Sequence, residues 1–353
     1  MKKKKNELSC RLGKVGGQAV LEGVMMKAGD RTVTSCRKPD GTIHVNDAKF
    51  TSVRQRNKIL NLPIIRGVVN FAEMMILSMK TMTASAEALG IEEEDSKFEK
   101  WLKKHFGARL IDFIMLIGLV LGLGLSLFLF LFLPNFISAL LDTYVFGGTL
   151  GVWTAVTEGV LKVLIFLAYL WLVSLMPDIK RTFMYHGAEH KSIACFEAGD
   201  ELTPECAKKY TRFHPRCGTS FMFLTILIGI FAGFFIKQLI PGLPTLVYTV
   251  IRLAILPILM GLGYEVIRLA GKHDNVATRI MSAPGLWAQR LTTKEPTDDM
   301  LEIAIISLKC ALRDDFPEFK EFYELRGWEP KEETEPAEAE DSSDNDSEGE
   351  GAQ

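Results

Sequence analysis

Apolar residues are spread unevenly along the chain, and four runs stand out. A helix crossing a hydrocarbon core of ~30 Å needs about 20 mostly apolar residues with charges confined to its ends. Residues 111–133 (IDFIMLIGLVLGLGLSLFLFLFL) meet this with Asp112 at the interface, and Pro134 is expected to close the helix. A second run, 157–176, has Glu158 and Lys162 near its start and ends at Pro177. The third, 220–240, ends at Pro241 with Lys237 near the edge. The fourth, 243–267, holds Arg252 and Pro257 inside and Glu265 near its far end. An arginine within a span is expected to pair with a carboxylate or a backbone carbonyl inside the bundle.

The remaining patterns are shorter. Between residues 14 and 50, Arg31–Lys38 and Thr42–Asn46 alternate on either side of Pro39-Asp40-Gly41, a turn signal that predicts a small β unit. From about Ser52 to Leu89, Ile59, Leu60, Ile64, Ile65, Val68, Phe71, Met74, Met75, Leu77 and Met82 recur at helical spacing. Core packing is the first reading of that methionine stripe; a membrane surface or a partner groove is the second. Residues 91–101 are charged and lead into the first span. Residues 297–312 predict an amphipathic helix with Leu301, Ala304, Ile305, Leu308 and Leu312 on one side and Asp298 and Asp299 in its first turn. The fold class is therefore a predominantly α-helical integral membrane protein of about four transmembrane helices, with a small N-terminal α+β cytoplasmic region and a disordered acidic C-terminal tail. Its boundaries fall at a basic N-terminus (1–13), the β unit and helix (14–100), the membrane domain (101–272), a C-terminal segment (273–328) and the tail (329–353).

Charge adds orientation. The formal net charge is −2, but residues 329–353 carry 11 acids against one lysine, leaving 40 Lys and Arg against 32 Asp and Glu in residues 1–328. Such a basic body suits an anionic membrane face. The connection 95–110 holds five Lys and Arg and 177–219 holds seven, whereas 134–156 holds none. Basic loops resist translocation, so both termini and the 177–219 connection are expected in the cytoplasm, with short outer loops. The lysine-rich start lacks an apolar h-region and predicts no cleavable signal. Six cysteines without a CxxC predict reduced thiols, and Cys195 and Cys206 read as ordinary ones.

The candidate chemistry lies in His186-Gly187-Ala188-Glu189-His190. On a helix, residues four apart share a face, so both imidazoles can reach one metal ion with Glu189 beside them. Two histidines and a carboxylate able to take a proton from water are the parts of zinc-assisted hydrolysis, and HxxEH is the inverted zinc-protease motif. His214 and Cys217 come just before the third span, and Glu265 ends the fourth. The topology thus gathers His186, His190, His214, Cys217 and Glu265 at one interface as possible metal ligands, the third coming from His214, Cys217 or Glu265, with Glu189 as the catalytic base. The bland alternative is a polar helix start at the headgroups, with Glu189 pairing Arg181 or Arg216 and His214 capping the next helix.

Five stretches, Gly16–Met26 (GGQAVLEGVMM), Pro63–Gly67 (PIIRG), Tyr185–Lys191 (YHGAEHK), Arg212–Ser220 (RFHPRCGTS) and Pro284–Thr293 (PGLWAQRLTT), resemble the bacterial YqhQ family of membrane proteins over about residues 13–315. The resemblance implies a metal-dependent enzyme of unassigned substrate. Two functions follow. One is a zinc-dependent membrane hydrolase, acting on a peptide bond or a lipid headgroup at the cytoplasmic interface. The other is a non-catalytic assembly or scaffold factor in the bilayer, binding a membrane-protein partner such as the insertion machinery, or the ribosome. No motif selects a specific nucleic acid, and a transporter is disfavoured because paired broken helices and a mid-membrane acidic relay are missing.

Overall fold

The computed structural model describes residues 11–55, 57–90, 108–272 and 276–316. The expected basic N-terminus before Arg11, the charged stretch 91–101 and the acidic tail lie outside these residues. Strands β1 (Val15–Val20), β2 (Gly23–Ala28), β3 (Arg31–Arg37) and β4 (Ile43–Lys49) form an antiparallel meander in sequence order. The Asp40-Gly41 turn forms as expected: Asp40 Oδ1 accepts from the Thr42 N–H at 2.9 Å, and Gly41 takes a φ of +84°. The predicted alternation gives way to burial along most of β3, because both faces of the sheet are covered. On one face lies helix α1 (Ile65–Ala88), whose Leu77, Met74 and Met82 pack with Val20 and Met25.

The first long apolar helix does not stop at Pro134. Helix α2 (Ala108–Leu127) runs through a π-turn at Phe128–Phe132 into α3 (Leu133–Tyr144), giving a candidate span of Ile117–Tyr144. Proline clashes with the carbonyl four residues back. The wider turn accommodates it, with the Leu133 N–H donating to the Phe128 carbonyl, five residues back. Three further helices are long and apolar enough to cross a membrane: α4 (Thr154–Val173), and then, beyond α5 (Pro177–Ala198) and the single turn α6 (Pro204–Ala207), α7 (Gly218–Leu239) and α8 (Thr245–Lys272). The protein is thus a helical membrane protein with four candidate spans and a small sheet. Pro177 opens α5 rather than closing α4, in the first-turn position where its missing N–H costs nothing. Arg252 of α8 pairs with Glu158 of α4, as an intramembrane arginine requires.

Two helices complete the fold. Helix α9 (Val276–Thr292) lies along α7, and α10 (Asp298–Ala311) joins α5 and the sheet in a unit outside the four candidate spans. Helix α10 is not one-sided. Met300, Leu301, Ile303 to Leu308, Cys310 and Ala311 are all buried, because the helix is wedged between α5 and the second face of the sheet. Ser307 satisfies its hydroxyl by donating toward the carbonyls of Val24 and Val33 at 3.0 and 2.7 Å. The resulting core joins β2 and β3 to α5 and α10, segments far apart in the chain, and it fixes the helix that carries the histidines. Burial pushes the Cys36 and Cys195 thiols up to about 11, which suits ordinary unreactive cysteines.

Candidate metal centre

Helix α5 sets His186, Glu189 and His190 on its buried side, and the two imidazole centroids stand 4.4 Å apart. Cys217, at the start of α7, brings its Sγ to 3.2 Å from His186 Nε2. Ligand atoms of His186, His190 and Cys217 all lie within 4.8 Å of one another. The ring orientations are set by main chain. His186 Nδ1 is 2.9 Å from the Thr292 carbonyl and His190 Nδ1 is 2.6 Å from the Arg212 carbonyl. A carbonyl only accepts, so each Nδ1 carries the proton and each Nε2 is left as the ligand atom, the usual outer-shell arrangement of metal-binding histidines. His190 Nε2 is buried without a hydrogen-bond partner.

Glycines permit the approach of neighbouring segments. A Cβ at Gly187 would meet the Lys294 carbonyl, so the close passage of the backbone beyond α9 over α5 requires glycine at this position. A Cβ at Gly17 would lie 2.8 Å from Glu189 Cγ and 2.9 Å from its Oε1. The β1–β2 turn adds a second tie: Glu22, in the left-handed region at φ +49°, accepts both Arg181 and the Tyr185 hydroxyl.

Burial disfavours charge on every group here, yet the partners decide which proton goes. Burial alone would lower His186, but the Cys217 thiolate and Glu189 raise it to about 9. Burial would raise the Cys217 thiol, and the imidazoles of His186 and His190 instead take it well below its usual range. Burial keeps the Glu189 carboxyl above the ordinary carboxylate value despite both histidines. A thiolate beside two histidines is a donor set that suits zinc, which binds sulfur and nitrogen in tetrahedral sites and would displace the Nε2 proton that the thiolate holds on His186. Three such ligands leave a fourth position open.

Of the expected ligands, His214 and Glu265 are not in this group. His214 lies next to it, its ring centroid 5.5 Å from that of His190, but its Nε2 faces Glu197 at 3.6 Å and Arg216 at 3.4 Å. Burial pushes its pKa down. Glu265 is held in a two-pronged pair with Arg66 of α1, since α8 turns that side chain toward α1. The bland pairing of Glu189 is not formed either, because Arg181 takes Glu22 and Arg216 takes Glu197. Sequence reasoning missed Gly17, Glu22, Gly187, Thr292 and Gln289. Gln289 holds the turn in place: its Oε1 accepts the His214 N–H and its Nε2 donates to the His214 carbonyl, both at 2.8 Å. These residues lie within the quoted motifs, but backbone carbonyls leave no side-chain signature.

A family model described as "Protein of unknown function (DUF1385)" matches residues 62–314, a stretch that contains the candidate centre and all four spans. The uncharacterized protein YqhQ of Bacillus subtilis (strain 168) is 36% identical over 304 residues, covering 84% of this chain and 92% of that protein. No solved structure matches the chain. The chain belongs to the DUF1385 family of proteins of unknown function.

Proposed function

We propose that this protein is a zinc-dependent hydrolase of the bacterial cell membrane, with both termini and the metal centre on the cytoplasmic side. His186, His190 and Cys217 hold the ion and Glu189 is the general base. The observation that carries the reading is the pair of Nδ1–carbonyl contacts, which leaves two Nε2 atoms converging on one thiolate, one of them buried and unpartnered. When bound, the ion supplies Lewis acidity and lowers the pKa of water toward 7. Glu189, one residue from His190, has a carboxyl pKa raised by burial, the direction that suits a proton acceptor, and Gly17 lies against its side chain. The Lys and Arg asymmetry of the loops supports the orientation. A peptide or a headgroup ester at the interface is the expected substrate.

A second reading, a structural metal in a non-catalytic assembly factor, is favoured by enclosure: His190 is 1% exposed, Glu189 5% and Cys217 9%. Metal analysis of the full chain separates them. About one zinc per chain is expected in the wild type and in Glu189→Gln, with loss in His190→Ala and Cys217→Ser. Hydrolysis of a membrane-tethered peptide or lipid library in proteoliposomes should fail in Glu189→Gln if the site is catalytic. A zinc-loaded Glu189→Gln protein with unchanged cellular function supports the structural reading. A wild type that takes up no zinc rejects both.

A further inference from the structure

Helix α1 begins beside the interior of a candidate span. A Cβ at Gly67 would meet Gly261 Cα and Tyr264 Cβ, both at 2.8 Å, and a Cβ at Gly261 would meet the Ile64 carbonyl at 2.5 Å. Gly261 lies eight residues inside the Leu269 end of the fourth span, about 12 Å along that helix. Arg66 then pairs with Glu265, one turn nearer the end, and Phe71 packs on Phe221 in the first turn of α7, with ring centroids 5.7 Å apart. Helix α1 therefore starts at hydrocarbon depth and climbs past the ends of α7 and α8 that adjoin the candidate metal centre. By Leu77 it has reached the sheet.

The chain before α1 folds back along it. Glu73 accepts the Val53 N–H at 2.6 Å and the Ser52 hydroxyl at 2.8 Å, which ties that stretch to α1 two turns above its start. Below this clasp lie a 3₁₀ turn (Lys58–Asn61), Pro63 and Ile64. Ile59 and Leu62 are 62% and 51% exposed, and Ile64 and Ile65 are exposed as well. Two observations identify what covers this tip. Ile258 and Leu262, on either side of Gly261 in the chain, are also exposed, so the tip extends the outward surface of a candidate span. The backbone of the tip is also satisfied internally, as hydrocarbon requires. The Ile59 N–H donates to Asn57 Oδ1 at 2.9 Å, and the N–H groups of Leu60, Leu62, Ile65 and Arg66 donate to carbonyls of Asn57, Ile59, Pro63 and Leu62. Pro63 has no N–H. Ile64 takes a φ of +70°, rare for a β-branched residue, and its close fit against Gly261 holds it there.

We infer that residues 57–65 form a re-entrant tip inserted in the bilayer leaflet nearest the candidate metal centre, with Ile59, Leu62 and Ile65 against lipid acyl chains. Lys58 and Asn61 are exposed beside them and keep the tip at the boundary of headgroups and acyl chains, where the lysine stem reaches the phosphates. Helix α1 is then a fifth element in contact with the bilayer. Because Leu77 of the same helix packs on Val20 and Met25, the tip pegs β1 and β2 to the membrane, and with them Gly17 beside Glu189.

The test is a depth measurement on the full chain in vesicles of dioleoyl phosphatidylcholine and dioleoyl phosphatidylglycerol. A nitroxide is attached through Ile59→p-acetylphenylalanine or Leu62→p-acetylphenylalanine, and its relaxation by oxygen is compared with that by a water-soluble nickel complex. The same label at Phe231, exposed within the third span, and at Asp40, in the exposed hairpin turn, marks the two extremes. Labels at positions 59 and 62 should read ~5–10 Å below the phosphates, between these controls. Labels as open to nickel as that at Asp40 overturn the inference. So do labels that neither reagent reaches, which would mean that a second copy or another protein covers the tip. If one variant elutes as aggregate, the other decides alone.

Discussion

Single atoms decide the centre. His186 and His190 share a helix face by spacing, but what aims their Nε2 atoms is a pair of carbonyls from Thr292 and Arg212, 106 and 22 residues away. Gly17 matters in the same way. Gly17→Ala puts a methyl against Glu189 Cγ at 2.8 Å and the Met25 carbonyl at 2.9 Å, so backbone must move. Overpacking of this kind costs ~1–3 kcal/mol. The expected outcome is retained zinc, a lower melting midpoint, and a functional loss matching that of Glu189→Gln, since the carboxylate is displaced while the three ligands stay. Zinc content and melting on one preparation check this; loss of zinc with unchanged melting would refute the assigned role of Gly17. The HxxEH spacing was legible in the sequence, whereas its anchors were not, because any residue supplies a carbonyl.

At the scale of elements, the four spans were readable because length and composition alone set them, although their ends shifted. Pro134 was expected to terminate the first and instead sits in a helix that a π-turn keeps continuous to Tyr144. Arg252 inside the fourth span required a partner, and Glu158 supplies it with a side chain 4% exposed. Removing one member of a buried pair leaves the other uncompensated, at a cost of about 3 kcal/mol or more. Arg252→Met alone should therefore lower the melting midpoint sharply in detergent, and the double variant Arg252→Met, Glu158→Met should recover much of the loss. A double variant as unstable as the sum of the singles would show that the two groups do not interact. The methionine stripe of α1 divides: Met74 and Met82 pack on the sheet, while Met75 and Met79 are 51% and 67% exposed.

Across the whole molecule, the unit outside the four candidate spans is assembled from three separated stretches, and its seams carry charge. Glu295, between α9 and α10, bonds Lys191 of the histidine helix and Arg212 of the turn before Cys217, both at 2.8 Å. Burial would raise its carboxyl, yet these two cations hold it below the usual range. A depressed carboxylate contributes stability that is complete above its unfolded value, near 4.5, and that disappears as pH falls through the lower folded value. The side chain is 62% exposed, so solvent screens the effect. The wild type should melt above Glu295→Gln by ~2 °C at pH 7, with the gap closing below about pH 4.5; a gap constant down to pH 3.5 contradicts this linkage. The sequence by itself determined the membrane class, the spans, the hairpin turn and the pair of histidines, because each follows from local composition or from spacing along one element. Only the tertiary structure decided that Cys217 joins the histidines while His214 and Glu265 take other partners, since that choice depends on which helices pack together and how their side chains then face. The same packing buried α10 on all sides and set Gly67 against Gly261, contacts between residues too far apart in the chain for any local pattern to connect.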